Sequence, residues 1–506
     1  MPPMSEPITG SHALVFGALD SGISLATGVP GYPITGIMKL LLGSGVDARW
    51  SINEKVALEA ALGASATGRR SLVTVKHVGM NILADPLITS ATHTIGAGLV
   101  ILTGDDPGVK QSQNEQDSRY YGLLAEVPVL DPSGPEAAYN SMRRAFLLSE
   151  KVRTPVIIRL TDRLNSMEEA VKRTPAATGD FQKFDRDTWT FTMKGKHQRF
   201  HCETYPLMEK ESTMAGTHRL YQRGKGIGII SSGYLSSLVE MIISADRFRN
   251  ISHLALTQVN PLPRPIINKF IAQHSRILVI EETEPVIEEQ IYCSGVLGKL
   301  TGHTGYGIIE ASDIILALEN IDMDKISRMC EPETRKSRGL TSTTGGLSKN
   351  TCEDCPYLGL YEVLGSLDVP VAGDLGCSVR TAPPPMEVVD IAYSLGSSIA
   401  TATGFAEKGI ALVGDFGLVH TGLQGLIEAV HHHKSVLVVV LQNNIAALTG
   451  GQDVPDMTNV VQTLVPDTLI LDIRNTWEDE LATIIKTELG KDGVSVMLAR
   501  ATCTKY

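Results

Sequence analysis

The sequence predicts an α/β protein of three doubly wound, parallel-sheet domains. Three observations carry that expectation. Short apolar runs alternate with helical patterns along most of the 506 residues, as parallel sheets covered on both faces require. The apolar runs are nearly continuous rather than alternating, the mark of strands buried on both faces. The alternation also stops twice, over 171–221 and 335–350, dividing the chain into blocks of domain size at 1–170, 222–334 and 351–506.

In the first block "SLVTVKHV" (71–78), "GLVILTGDD" (98–106) and "TPVIIRLTD" (154–162) read as strands, and "NEKVALEAALGASATG" (53–68) as a helix. Residues 171–221 are polar and rich in Lys, Arg and Thr. Their aromatics (Phe181, Phe184, Trp189, Phe191) follow no period, so an interdomain connection is expected. The second block resumes with strands "GIGIISSG" (226–233), "SHLALTQVN" (252–260) and "RILVIEE" (276–282). "RKSRGLTSTTGGLSKN" (335–350) reads as a second linker. In the third block, strand "ALVGD" ends at Asp415, a helix runs from Gly422 to His433, and "SVLVVVLQN" ends at Asn443.

Composition narrows the function classes. Hydrophobic residues make up 43% and charged residues 20%, the profile of a globular protein. A net charge of −11 argues against nucleic-acid binding. The start "MPPMSEPITG" has neither the basic nor the apolar region of a signal peptide, and no apolar run approaches a membrane span. Seven cysteines in so long a chain do not form a disulfide scaffold. A cytoplasmic setting is expected, in which the C-x-x-C of "TCEDCPYLG" (351–359) points to metal or redox chemistry.

The third block holds the most informative unit. Asp415 and Asn443 end two strands of one βαβ unit, at the sheet edge where such folds bind ligands. A carboxylate and an amide oxygen there suit a hard cation completed by backbone carbonyls and phosphate oxygens. Gly414, Gly417 and Gly422 would let phosphate approach the backbone, and a helix N-terminus beside them favours negative charge. An ordinary Gly-Asp turn with a capping Asn is the plainer alternative. The run His431–His433 reads as a solvated helix end, where His⁺ and Lys434 suit the dipole.

The Gly-Asp…Asn pattern resembles the thiamine diphosphate motif. "GDFGLVHTGLQGL" and "LQNNIAALTGGQ" resemble the 2-oxoacid:ferredoxin oxidoreductases, especially the large-subunit branch of the indolepyruvate type. The resemblance spans nearly the whole chain, strongest at both ends. It implies a thiamine-enzyme fold, with a pyrimidine-binding domain at 1–170, a transketolase C-terminal-like domain at 222–334 and a diphosphate-binding domain at 351–506. By carry-over, Asp415, Asn443 and the Ile445 carbonyl hold Mg²⁺, Gly414 and Phe416 belong to the cofactor motif, and His420 lies near the cofactor. Phe416 stands where the motif usually has Gly. "SINEKVALEAALGAS" (51–65) matches the segment whose glutamate activates the thiamine ring, which makes Glu54 that residue; a first-turn carboxylate behind N-cap Asn53 is the competing reading. "GVPGYPITGI" (28–37) is similar to the substrate loop, with Thr35 near the 2-oxoacid, or else is a plain strand-to-helix turn. "VKHVGMNILADPL" (75–87) and "DDPGVKQSQNEQDSR" (105–119) also resemble indolepyruvate-type sequences. His77 is either an active-site group or a packed histidine.

Cys352, Cys355, Cys377 and Cys503 match, in order and context, the family's ligands of a [4Fe–4S] cluster. Zinc is the alternative for four thiolates. Cys202, Cys293 and Cys330 fall outside the pattern and are assigned to packing or surface. The family's large subunit usually continues into a ferredoxin-like domain, whereas this sequence ends at Tyr506, so electrons would pass to another subunit or carrier. The resemblance thus implies oxidative decarboxylation of a 2-oxoacid, such as an aryl pyruvate, with coenzyme A as acyl acceptor and ferredoxin or another carrier as electron acceptor. It also implies a smaller second subunit and an oligomer. A non-oxidative decarboxylase or carboligase, or a non-catalytic subunit of a redox complex, would use the same fold.

Overall fold

The computed structural model describes residues 7–112, 114–177, 181–183, 185–188, 199–323 and 351–506. The 335–350 linker, Cys330, Phe184, Trp189 and Phe191 lie outside them. The chain forms two compact units, Met1–Thr341 and Ser342–Tyr506.

The first unit contains two large sheets. One has seven strands in the order Gln258–Asn260, Val129–Leu130, Val156–Thr161, Leu99–Asp105, Ser71–Lys76, Leu25–Gly28 and Asp47–Trp50. All neighbours are parallel except Gln258–Asn260, which runs antiparallel at the edge. Successive residues of the central strands face opposite layers. Val100 and Leu102 pack with helices Gly10–Asp20 and Pro135–Val152, whereas Leu99 and Ile101 pack with Glu54–Ala66 and His77–His93. These four strand residues have no exposed surface, which is why the sequence shows an unbroken apolar run there.

The second sheet is ordered Val296–Leu297, Arg276–Ile280, Ile227–Ser232, Ser252–Leu256 and His218–Tyr221, with only the last strand antiparallel. Two expectations need correction here. "SHLALTQVN" is two strands: Ser252–Leu256 belongs to this sheet, and Gln258–Asn260 crosses to the edge of the seven-stranded one. Thr257 makes the crossing, its N–H donating to Thr217 O (2.8 Å) and its carbonyl accepting from Asp131 N (2.7 Å). An apolar run records burial, which continues across the break. Residues 199–221, expected as connection, carry the helix Tyr205–Ser212, with Met208 in the core, and the edge strand His218–Tyr221. A short edge strand with one side open leaves little periodicity to read.

The second unit has one six-stranded sheet, ordered Ile391–Ala392, Val371–Gly373, Gly409–Gly414, Val436–Gln442, Val494–Arg500 and Leu469–Asp472, parallel throughout. Leu437, Val439 and Leu441 face one layer, Val436, Val438 and Val440 the other. Parallel pairing brings the C-terminal ends of four adjacent strands into a row. From that row leave the segments carrying Cys377, Asp415, Asn443 and Cys503.

Candidate active site

In the second unit Asp415 and Asn443 are neighbours. Asp415 is buried and starts a helical turn directly after its strand. Its carboxylate accepts from the N–H groups of Phe416 (2.8 Å), Asn443 (2.9 Å) and Asn444 (2.5 Å). Asn444 adopts φ +61°, the left-handed turn that aims its N–H back at Asp415. The Asn443 side-chain oxygen accepts from Ile445 N at 3.1 Å. Burial pushes the Asp415 carboxyl up to about 6, against the pull of those N–H groups. A buried acid held by dipoles alone would bind a hard cation, which would supply the charge that lets it ionise. Carboxylate, amide oxygen and backbone carbonyl form a donor set suited to Mg²⁺. The space beside Gly414 is open, since a Cβ placed there meets nothing within 4 Å.

Two of the expected phosphate glycines have another reason to be glycine. A Cβ on Gly417 would lie 2.1 Å from Asp374 Oδ2, and one on Gly422 would lie 3.1 Å from Gly417 O. The helix also begins at Asp415 rather than Gly422, because a π-helical turn over Leu418–Gly422 inserts before the regular helix Leu423–His431. Single π turns gather at functional sites, and this one carries His420, buried, with its ring 6.0 Å from that of Phe416. His420 also lies within charge range of Asp374. Asp374 has no exposed surface; it accepts from Ser378 Oγ (2.8 Å) and Gly376 N (3.2 Å), and burial raises its carboxyl. It sits in "GDLGCSV" (373–379), one strand over from Asp415, where no spacing of its own marks it in the sequence. His431 ends its helix, and His432 pairs with exposed Glu428 at 3.2 Å, as expected of a solvated end.

The four cysteines of the pattern converge. Cys352 and Cys503 lie within charge range of Cys355, as do Cys355 and Cys503 of Cys377. Burial pushes the Cys377 thiol up to about 12, while Arg380 pulls it down. Among the described residues, no three His, Cys, Asp or Glu side chains close around a point as ligands of a single ion. Cys202 and Cys293 are exposed. Two buried tyrosines that the sequence reading passed over line the thiol group. Tyr357 lies within charge range of Asp415, Cys355, Cys503 and Cys377, and its hydroxyl donates to Ala501 O at 3.4 Å. Tyr361 has no exposed surface and lies within charge range of Cys355 and Cys377. Both stand inside "TCEDCPYLGLY", where helical apolar spacing accounts for them.

In the first unit Glu54 is buried at the first position of Glu54–Ala66, behind N-cap Asn53, whose side chain accepts from Val56 N at 2.8 Å. Its carboxylate packs on Gly79, where a Cβ would lie 2.7 Å from Glu54 Oε1. The Thr35 hydroxyl accepts from Gly31 N (2.9 Å) and donates to Gly31 O (3.0 Å), pinning the 28–37 loop. His77 is fully buried between two backbone carbonyls, Gly104 O (3.3 Å) and Asn114 O (3.1 Å), and burial lowers its basicity. That is the environment of a histidine pinning the 105–119 loop.

The same loop contributes a buried ionic network with no periodicity to announce it. Arg159 donates to Asp105 (2.6 Å) and Asp131 (3.3 Å); Arg119 donates to Asp117 (2.6 Å) and Glu281 (2.7 Å). Through Glu281 and through Ser232, which donates to Asp131 (2.8 Å), it joins the seven- and five-stranded sheets.

Residues 374–485 match a family model described as thiamine pyrophosphate enzyme, C-terminal TPP binding domain. The chain is 30% identical to the indolepyruvate oxidoreductase subunit IorA of Thermococcus kodakarensis, over 99% of this chain and 86% of the relative. It is 31% identical to the IorA subunit of Methanothermobacter marburgensis, over 89% and 77% of the two chains. The chain belongs to the IorA family. It is an enzyme of the thiamine diphosphate-dependent 2-oxoacid oxidoreductase class. A 2-oxoglutarate:ferredoxin oxidoreductase from Magnetococcus marinus shares the fold, with TM-score 0.50 and 14% identity over 63% of this chain and 66% of that one. Among the described residues of this IorA-family chain, no helix is long and apolar enough to cross a membrane.

Proposed function

We propose that this chain catalyses the oxidative decarboxylation of an aryl-substituted 2-oxoacid. A 2-oxoacid, coenzyme A and two oxidised one-electron carriers give acyl-CoA, CO₂, two reduced carriers and a proton. The observation that carries the reading is the joint presence of the Asp415–Asn443 pair and the thiol group, on adjacent strand ends of one sheet. Thiamine diphosphate, when bound, supplies the nucleophilic carbon that attacks the 2-oxo group. Asp415, Asn443 and the Ile445 carbonyl would hold the Mg²⁺ that carries its diphosphate. Glu54 would hold a proton against the cofactor's pyrimidine ring, and His420 would line the reacting end. Thr35 fixes the loop that borders the substrate.

Cys352, Cys355, Cys377 and Cys503 would hold a [4Fe–4S] cluster, which accepts electrons singly. The aryl preference and the electron carrier come from the IorA relatives, which are named as indolepyruvate oxidoreductase and as one subunit of it. A second subunit is expected on the same ground, and coenzyme A and ferredoxin follow the class. The test is anaerobic turnover of a panel of 2-oxoacids with coenzyme A and a one-electron dye, by the chain with its partner subunit. Dye reduction that requires thiamine diphosphate, favours aryl pyruvates and is lost in Glu54→Gln supports the reading. Decarboxylation at full rate with no acceptor present overturns it in favour of a non-oxidative enzyme.

A further inference from the structure

We propose, on the reading of Asp415 as a cofactor-metal ligand and Cys377 as a cluster ligand, that Asp374 is a positioning residue. Its carboxylate ties the turn that would carry the metal to the turn that would carry the cluster, so that each responds to what the other holds.

Asp374 directly follows the strand Val371–Gly373, which lies beside Gly409–Gly414, the strand that delivers Asp415. The side chain has no exposed surface and meets three pieces of backbone. From its own turn, Oδ1 accepts from Gly376 N (3.2 Å) and Ser378 Oγ (2.8 Å), the two residues that flank Cys377. From the next loop, Oδ2 accepts from Gly396 N at 3.4 Å. From the metal-side turn Asp415–Gly417, the glycine presses on the same oxygen, and a Cβ there would strike Oδ2. The last two pieces also close on each other. A Cβ on Gly396 would strike the Gly417 carbonyl and the Thr421 hydroxyl, and that hydroxyl donates to Leu395 O at 2.6 Å. One carboxylate thus sits where the Cys377 turn, the 394–397 loop and the Asp415–Gly417 turn cross.

The chemistry of these contacts explains why the residue is an acid. Its partners all donate: two backbone N–H groups and one hydroxyl. An ionised carboxylate only accepts, so its two oxygens hold both sides at once. An amide of the same shape would turn an NH₂ group toward one side, and a donor facing a buried N–H leaves both unpaired. An apolar side chain would fill the slot without gripping either turn. His420, on the π turn that continues from Gly417, lies within charge range of the same carboxylate. The brace therefore also faces the residue that would line the reacting end.

Close-packed, fully buried contacts pass a small shift on rather than absorb it. A metal that draws Asp415 into place would move Gly417 against Asp374, and Asp374 against the turn of Cys377. The coupling is reciprocal: if cofactor binding alters the cluster's affinity for an electron, the electron alters the affinity for the cofactor by the same factor.

The experiment compares the wild-type enzyme, purified anaerobically with its partner subunit, with Asp374→Asn and Ser378→Ala. The midpoint potential of the cluster is measured without and with thiamine diphosphate and Mg²⁺, so that the charge removed by substitution cancels in the difference. In the wild type the potential shifts when the cofactor binds. In Asp374→Asn most of that shift is lost, and thiamine diphosphate affinity falls on the order of 10- to 100-fold. Ser378→Ala keeps the acid and its bond from Gly376 N, so it loses a smaller part of the shift and decides the matter if Asp374→Asn does not fold. A shift carried unchanged into every folded variant, or absent from a wild type that holds both cluster and cofactor, overturns the proposal alone. A wild type whose cysteines hold no iron overturns the functional reading and the proposal together.

Discussion

The strand ends of the two units solve opposite electrostatic problems. In the first, buried acids meet buried guanidiniums: Asp105 and Asp131 meet Arg159, and Asp117 and Glu281 meet Arg119. Arginine charge holds Asp117 well below the usual carboxylate range. In the second, Asp374, Asp415 and Cys377 are held by hydroxyls, backbone dipoles and one neighbouring arginine, and burial drives all three up. On the first edge these buried acids are paired as folded. The second edge is short of positive charge, and a bound cation and a cationic iron core would supply it. Fold alone does not distinguish the two, since both are parallel sheets seen at the same end.

The comparison breaks most readily at Asp415. Asp415→Asn removes the charge that would hold Mg²⁺, and thiamine diphosphate affinity in Mg²⁺ should fall roughly 100-fold or more, beyond the 10- to 100-fold typical of residues behind a ligand. Titration by fluorescence or calorimetry checks this; an unchanged affinity would remove the metal from this site. On the first edge the expected effect is on stability. Arg119→Met leaves Glu281 buried without its paired guanidinium and Asp117 with only the more distant Arg159 (3.9 Å), and should cost about 3–5 kcal/mol. Chemical denaturation of the intact chain reads it as earlier unfolding of the first unit, and a variant as stable as its parent would show the network to be dispensable.

A sharper contrast separates positioning from stability. Gly79→Ala pushes on the whole Glu54 side chain, since its Cβ would lie 2.7 Å from both Cγ and Oε1. Turnover should fall on the order of 10- to 100-fold, as small misplacements of reacting groups do, while the melting temperature shifts little. A large loss of stability with turnover per folded chain preserved would reverse that assignment. The smallest effect is in the second sheet. His253 is fully buried between Glu240 Oε1 (2.5 Å) and Ser231 Oγ (2.6 Å), and burial keeps it less basic than in the unfolded chain. The unfolded state therefore takes up the proton first, and stability should decline as pH falls below about 6.5. Denaturation at pH 7.5 and 5.5 should show a smaller decline, by about 1 kcal/mol, in His253→Gln. An equal decline in both would place the proton uptake elsewhere.

The fold was legible because strands buried on both faces announce themselves as apolar runs. The run 252–260 misled for the same reason, since burial persists where one strand ends and another sheet begins. That Asp415 lies beside Asn443, and that the four cysteines share one neighbourhood, was legible because a fixed order of unlike residues carries more information than any one of them. The ionic network, Asp374 and Tyr357 were not. Each acquires its meaning from a partner distant in sequence or on a neighbouring strand, and none has a spacing of its own. His77 shows the converse: a histidine in a conspicuous motif whose contacts are two backbone carbonyls.

The most direct test is anaerobic purification of the chain with its partner subunit, iron and sulfide analysis, then mixing with thiamine diphosphate, Mg²⁺ and an aryl pyruvate while following visible absorption. About four irons and four sulfides per cysteine site, with absorption that bleaches on substrate addition and recovers with a one-electron acceptor, is the expected result. Zinc or no metal at Cys352, Cys355, Cys377 and Cys503, with 2-oxoacid turnover that needs no acceptor, would contradict it.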